Sequence, residues 1–101
     1  MREYRVTLNL LGTIRKGPPP TVQLIAESEM RAVALALAEF RRQGKNLGEP
    51  LEVGVHELPD RTHYVHSKGT IAAWLAMPHN AQFIAANNLG SLLPQLQTRR
   101  L

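Results

Sequence analysis

Apolar residues recur at helical spacing in one stretch, residues 28–43, with the sequence SEMRAVALALAEFRRQ. The large members of this stripe are Met30, Val33, Leu37 and Phe40. Such spacing is typical of a helix that buries one face, and the alanines between these residues favour the same structure. Ser28 is placed to cap the first turn, and Gly44 can adopt the left-handed conformation that ends a helix. The pattern therefore predicts one main helix over 28–43.

Leu35 lies on the opposite face of this predicted helix, beside Arg31 and Glu39. It is either an isolated exposed leucine, which is common on protein surfaces, or part of a surface for a partner. The pattern alone favours the isolated leucine, and Leu35 remains an interface candidate.

Three other segments alternate apolar and polar residues with the two-residue period of a half-buried strand. They are residues 3–10, 21–26 and 51–58. Residues 62–67, THYVHS, are rich in β-formers and predict a fourth strand. The first two strands are expected to pair antiparallel, and Gly54 is expected to weaken the third strand or to mark a bulge.

The connection between the first two strands, residues 12–20, contains Arg15 and Lys16 followed by a glycine and three prolines. Prolines cannot donate to a strand ladder, and a run of them favours the stiff, extended polyproline II conformation. The segment is either a basic finger that reaches a phosphate backbone or a protein groove, or a solvated loop whose charges aid solubility. We favour the solvated loop.

The region after residue 67 has no single interpretation. Lys68 and Gly69 interrupt the strand pattern, and residues 70–89 fit either a β-hairpin or two short helices around a Pro-His-Asn turn. The alanine content favours the helices. Ser91 is expected to cap a last short helix over 92–100, which has a proline in its first turn.

These elements predict a single α+β domain over residues 1–101. An antiparallel sheet with an N-terminal β-hairpin carries the main helix, 28–43, on one face. The expected order is β-β-α-β-β, followed by a mixed C-terminal segment that ends in a short helix.

The composition narrows the chemistry and the partners. The chain has 101 residues and no cysteine, which excludes disulfides, a thiolate nucleophile and cysteine-bound metal, and we expect a cytoplasmic protein. No run of about 18 apolar residues is present, so we expect no membrane-spanning segment. The formal net charge of +4 and the pI of about 10.1 favour a polyanionic partner, although the twelve basic residues are spread along the chain.

Histidine is the side chain that enzymes use most often for proton transfer, and the chain has four. His63 and His66 form H-x-x-H, but on a strand these side chains point to opposite faces, which separates them as metal ligands. His56, Glu57, Asp60 and His63 lie close in sequence and suggest at most a remote carboxylate–histidine site. No nucleophile, phosphate-loop or dinucleotide motif is present. We therefore expect no catalytic residue, no metal site and no cofactor.

Nucleic-acid binding is the first alternative function. Its candidate residues are Arg15, Lys16, Arg41, Arg42 and Lys45. Under the two-helix interpretation, residues 70–89 also fit a helix-turn-helix loosely, with Gln82, Asn87 and Asn88 placed to read base edges. That segment has no Arg or Lys to anchor phosphates, which weakens the assignment.

The leading hypothesis is a non-enzymatic accessory or adaptor protein of bacterial, phage or mobile-element type, acting through a protein partner or by self-association. Such a role needs no motif, and a small sheet with an uncovered edge can pair across a two-fold axis. Trp74 and Phe83 are expected to belong to the core, and they join Leu35 as interface candidates because such side chains can also form an apolar patch for self-association. A histidine-dependent metalloenzyme is a distant third hypothesis.

Overall fold

Four strands form one sheet in the computed structural model, which describes residues 1–12, 17–59 and 62–97. The strands are β1 (Arg2–Leu10), β2 (Thr21–Ala26), β3 (Leu51–Leu58) and β4 (Thr62–Ser67). Their order across the sheet is β2-β1-β3-β4, and every neighbouring pair is antiparallel. The predicted N-terminal hairpin is confirmed. β1 and β3 are central strands, and β2 and β4 are the two edges.

The main helix predicted from the apolar stripe is present as α1 (Glu29–Arg42). The Ser28 hydroxyl accepts a hydrogen bond from the Arg31 backbone N–H at 3.3 Å, as an N-cap does. At the other end Gly44 has a φ of +88°, and its N–H donates to the Arg41 carbonyl at 2.9 Å. This is the geometry of a left-handed C-terminal cap, so both predicted ends are confirmed.

The core lies between α1 and one face of the sheet, where α1 packs over β2, β1 and β3. Its buried side chains include alternate strand positions and the apolar stripe of the helix: Tyr4, Val6, Leu8, Val53, Val55, Val33, Leu37 and Phe40. Burying one large apolar side chain stabilises a fold by roughly 1.5–3 kcal/mol, so this layer is a main source of the free energy of unfolding. The predicted α+β fold, with the main helix on one face of an antiparallel sheet, is confirmed.

The opposite face of the sheet carries the polar strand positions. One row crosses all four strands through Gln23, Arg5, His56 and His63. Gly54 lies in the next row, and a Cβ added there would meet the Nε2 atom of His63 at 3.3 Å. The strand register runs without interruption through Gly54 on both sides, so the bulge alternative is wrong. The glycine instead makes room for the His63 ring.

Residues 68–96 supply three further helices and a turn, as the alanine content favoured. They are α2 (Lys68–Ala76), a 3₁₀ turn (Pro78–Asn80), α3 (Ala81–Ala86) and α4 (Leu92–Leu96). The β-hairpin alternative for 70–89 is therefore wrong. Lys68 and Gly69 interrupt the strand pattern as predicted, because β4 ends at Ser67 and these two residues form the first turn of α2. The Ser67 hydroxyl caps that turn by accepting from the Thr70 N–H at 3.2 Å.

The last helix begins at Leu92 as predicted, but its end and its cap differ from the prediction. α4 stops at Leu96 rather than at residue 100, and residues 98–101 lie outside the described part of the chain. Ser91 precedes α4, but its hydroxyl caps no N–H and accepts instead from the Arg41 guanidinium. Among the described residues, no helix is long and apolar enough to cross a bilayer.

Candidate functional site

A groove of about 420 Å³ lies where the end of β2, α1 and α3 come together. Its apolar lining consists of Met1, Ile25, Ala26, Leu35, Phe83 and Ala86. Its polar lining consists of Glu27, Arg31, His79, Gln82 and Asn87. Apolar surface with a few polar groups around it is typical of a binding site.

Phe83 makes the most specific contacts in the groove. Its ring meets the Trp74 ring edge to face, with the two ring centroids 6.0 Å apart. The Arg31 guanidinium lies over the same ring, 4.8 Å from its centroid, and also donates to the Glu27 carboxylate. Edge-to-face and cation–π contacts orient aromatic rings. They hold the half-buried Phe83 in a defined position in the groove.

The three interface candidates all belong to this region. Leu35 and Phe83 line the groove, and Trp74 contacts Phe83. Leu35 is half-buried and packs against the core, so the expectation of an isolated exposed leucine is wrong. Arg31 and Ile25 also line the groove, and the sequence pattern does not single them out as site residues. For Arg31 one indication exists, since it lies four positions before Leu35 on the same helix face.

The groove adjoins the free edge of β2. The Leu8 N–H donates to the Pro20 carbonyl at 2.9 Å, which makes these two residues a hydrogen-bonded pair of the β1–β2 ladder. Because bonding direction alternates along an antiparallel strand, the backbone groups of Thr21, Gln23 and Ile25 point away from β1. No described strand pairs with that edge, and the Ile25 side chain is 58% exposed. β2 also lacks the charges, prolines and bulges that usually protect an edge strand.

Arg15 and Lys16, two of the five candidates for nucleic-acid binding, lie outside the described part of the chain. The other three lie at or just beyond the end of α1. Arg41 donates to the Ser91 hydroxyl, while Lys45 is exposed. The end of α1 is therefore a mixed polar surface and not simply a cluster of cations.

Arg42, at the end of α1, forms an ion pair with Glu39. Hydrogen bonds from Arg42, and then from Gln43, lower the pKa of the Glu39 carboxyl to about 2, and the carboxylate raises the pKa of Arg42. The described residues carry seven basic side chains, Arg2, Arg5, Arg31, Arg41, Arg42, Lys45 and Lys68, and seven acidic ones, Glu3, Glu27, Glu29, Glu39, Glu49, Glu52 and Glu57. Their formal charges cancel, so the net charge of +4 comes from residues outside the described part.

The second helix of the helix-turn-helix interpretation is present but shorter than predicted. α3 ends at Ala86, so Asn87 and Asn88 follow the helix instead of lying on it. The Asn87 side chain donates to the Phe83 carbonyl at 2.9 Å, and Asn88 has a φ of +56°. Gln82 is on α3, but it lines the groove.

The H-x-x-H pair separates as the strand pattern predicts. His66 faces the helices, and its Nε2 atom lies 3.2 Å from the Oε2 atom of Glu29 in α1. His63 lies on the opposite face of the sheet, over the glycine of β3. The two rings therefore cannot share one metal ion.

The sequence cluster around His56 is also divided. The His56 ring lies on the same face as His63, with 5.7 Å between the ring centroids. Glu57 lies on the other face, as neighbouring positions of a strand do, and Asp60 lies outside the described residues. Within the described ranges, no three His, Asp or Glu side chains are grouped closely enough to hold a metal ion.

The groove and the β2 edge offer three kinds of contact: apolar surface, a cation stacked on an aromatic ring, and outward-facing backbone groups. Proteins use such contacts to bind extended or helical segments of other chains. Comparison with known proteins identifies no relative, since no family model, curated protein or solved structure matches the chain. The function is therefore argued from these surfaces.

Proposed function

We propose that this protein is a non-enzymatic binding module that holds a protein partner, or a second copy of itself, in the groove and along the free edge of β2. The observation that carries the proposal is the meeting of Ile25, Leu35 and Phe83 in one groove beside an unpaired strand edge. Large apolar side chains next to an arginine are typical of the energetically important part of a protein interface.

The contacts around Phe83 support a surface that is ordered before a partner binds. Trp74 and Arg31 already fix the orientation of the ring. Binding to a side chain held in this way loses less conformational entropy than binding to a mobile one. The backbone groups of β2 add hydrogen bonds for any extended segment that lies beside the strand.

A photo-crosslinking amino acid at Gln82 tests the proposal in cells that produce the protein. Gln82 is exposed and lines the groove, so irradiation is expected to join it to a bound protein. The matched control is Ala73, an exposed position of α2 outside the groove lining. The mass of the adduct separates a second copy from another protein. Equal adducts at both positions, or none at Gln82, would contradict binding in the groove.

The non-enzymatic part of the proposal is tested through His56 and His63, the two histidines on the face of the sheet opposite α1. Their substitution by alanine is expected to leave binding in the groove unchanged, because the groove lies elsewhere. A measurable turnover that either substitution abolishes would show that the protein is an enzyme.

Nucleic-acid binding receives less support, because Arg42 is paired and the charges of the described residues cancel. A salt titration of binding to duplex and single-stranded nucleic acid measures it. The groove proposal expects no affinity beyond weak binding at low ionic strength. Tight binding that falls steeply with salt, and that needs Arg15 and Lys16, would favour the alternative.

A further inference from the structure

The free edge of β2 is complementary to a second copy of itself. Its outward-facing residues, Thr21, Gln23 and Ile25, are spaced two apart, so an antiparallel copy centred on Gln23 uses all of them. Gln23 then lies opposite the partner's Gln23, and Thr21 lies opposite the partner's Ile25. The three hydrogen-bonded pairs exchange about six backbone bonds. If the register shifted by two residues in either direction, one of the three pairs would contain Pro19 or Glu27, which lie outside β2.

The side chains of β2 agree with the same register. Val22 lies opposite the partner's Leu24 on the helix face, where both residues are only half-buried in the single chain. β2 has no charged side chain, so its strand residues bring no like charges together across the axis. α1 packs over β2, β1 and β3, so the two copies of α1 would lie on the same face of the joined sheet, one on each side of the axis.

The register also brings the prolines that precede β2 to the groove of the other copy. Pro20 lies beside the partner's Ala26, and Pro19 lies beside the partner's Glu27, and both of these positions line the groove. Polyproline segments bind grooves that contain aromatic side chains, and Phe83 supplies one here. The missing N–H of Pro20 costs nothing in this arrangement, because its pair is one that exchanges no hydrogen bonds.

We propose that the occupant of the groove is a second copy of this chain, bound by antiparallel pairing of the two β2 edges across a two-fold axis. The proline segment of each copy then lies in the groove of the other. The two four-stranded sheets become one continuous sheet. This inference rests on the proposed function and names its partner.

The other edge strand, β4, is the rival surface for pairing. The direction of the backbone hydrogen bonds alternates along each strand, so the backbone groups of His63 and Val65 point away from β3. The Val65 side chain is 55% exposed. Pairing centred on Val65 would set Tyr64 opposite the partner's His66, a side chain that is already bonded to Glu29. It would also leave the groove without its occupant.

Single-cysteine variants report the register directly, because the chain has no cysteine of its own. Gln23→Cys places two thiols opposite each other with Cα atoms about 5.5 Å apart, within the range of a disulfide. Thr21→Cys is the matched control on the same edge, since its two copies would lie about 14 Å apart. Val65→Cys tests the β4 edge. On mild oxidation we expect a covalent dimer from Gln23→Cys and from neither of the other two variants.

Sedimentation velocity of the full chain measures the dimer without oxidation. Gln23→Lys places two lysines opposite each other at the axis and is expected to raise the dissociation constant of the dimer about fivefold. Val65→Lys is expected to leave this constant unchanged. Both positions are exposed, so neither change disturbs the core. The emission of Trp74, the single tryptophan, is expected to shift on dilution of the unmodified protein as the proline segment leaves the groove.

A covalent dimer from Val65→Cys alone would assign the pairing to β4 and overturn the proposal. A monomeric chain with no cross-link from Gln23→Cys would also overturn it, but the proposed function would stand if the Gln82 adduct contains another protein. If Gln23→Cys forms the dimer but Gln82 gives no adduct with a second copy, the proline segment does not lie in the groove and that part of the proposal is wrong. No adduct of any mass at Gln82 would contradict the proposed function itself.

Discussion

Asn80 is the one buried polar side chain among the described residues, at 5% exposure, and it fixes the turn that places α3. Its Nδ2 atom donates to the Trp74 carbonyl near the end of α2 at 2.7 Å. The bond ties the turn to α2 and so determines where Phe83 meets the Trp74 ring. Asn80→Ala removes this bond and leaves the rest of the turn chemically unchanged.

The size of the effect follows from the partners of the Trp74 carbonyl. A buried hydrogen bond between uncharged groups contributes about 1 kcal/mol to the free energy of unfolding. The carbonyl keeps a second donor, since the Met77 N–H lies 3.2 Å from it, so the larger penalty for an orphaned group does not apply. We expect Asn80→Ala to lose about 1 kcal/mol, which lowers Tm by roughly 4–8 °C in a domain of this size.

Asn87→Ala is the matched control. Asn87 makes the same kind of bond, from Nδ2 to the Phe83 carbonyl at 2.9 Å, but it is exposed, so water replaces the lost donor. Its removal is expected to change the free energy of unfolding by less than about 0.5 kcal/mol. Thermal and urea unfolding, followed by circular dichroism and by Trp74 fluorescence, measure both variants. Equal losses for the two would refute the argument that burial makes the Asn80 bond valuable.

Asn80→Asp extends the same test to charge. The carboxylate would face the Trp74 carbonyl without a donor, so burial is expected to hold its pKa above the ordinary value for aspartate. A raised folded-state pKa means that the loss of stability relative to the unmodified protein is largest at neutral pH and shrinks as the pH falls and the carboxyl becomes protonated. A difference between the two proteins that does not shrink on acidification would contradict this account.

Three other outcomes are expected. NMR titration should find the pKa of the Glu39 carboxyl at about 2 and, in Arg42→Ala, nearer its ordinary value. Because the pKa is depressed in the folded state, the Glu39–Arg42 pair stabilises the fold above the unfolded-state pKa. That stabilisation is lost as the pH falls through the folded-state pKa. An unchanged Glu39 titration in Arg42→Ala would reject that cause. Burial raises the pKa of the Tyr4 phenol. The stabilisation by the neutral phenol is therefore complete below the unfolded-state pKa and is lost as the pH rises through the folded-state pKa. Tyr4→Phe should unfold at a higher alkaline pH than the unmodified protein, and unfolding of both at the same pH would contradict this cause. Gly54→Ala puts a methyl group 3.3 Å from the exposed His63 ring, which can rotate away; the free energy of unfolding should change by less than about 1 kcal/mol while the His63 NMR signals move, and a much larger loss would show that the ring is fixed.

β1, β2, β3 and α1 were predictable because each has an apolar period and one face to bury, whereas β4 was predicted from its β-forming residues. In β1 the period of two assigns Tyr4, Val6 and Leu8 to the core, and all three are buried. In α1 the ends were also predictable, because Ser28 and Gly44 act through backbone groups within one turn of their own positions. Local chemistry of this kind does not depend on the rest of the fold.

The C-terminal region was not predictable in the same way. Residues 70–77 are too short and too uniformly apolar for periodicity to separate strand from helix. Ser91 looked like a cap because its position is right, yet the Arg41 guanidinium from α1 takes its hydroxyl. A side chain that could bond to a local backbone group can instead bond to a residue of another element. The local sequence does not indicate which distant residue will lie close to it.

The sequence by itself determined four strands and the main helix, and it determined which side of β1, β2, β3 and α1 faces the core. The tertiary structure alone decided the strand order β2-β1-β3-β4, which leaves β2 at an edge. It also decided that Leu35 of α1, Ile25 of β2 and Phe83 of α3 share one groove. The physical reason is that a hydrophobic period reports which face of an element is buried, whereas contacts between distant elements depend on how the layers pack.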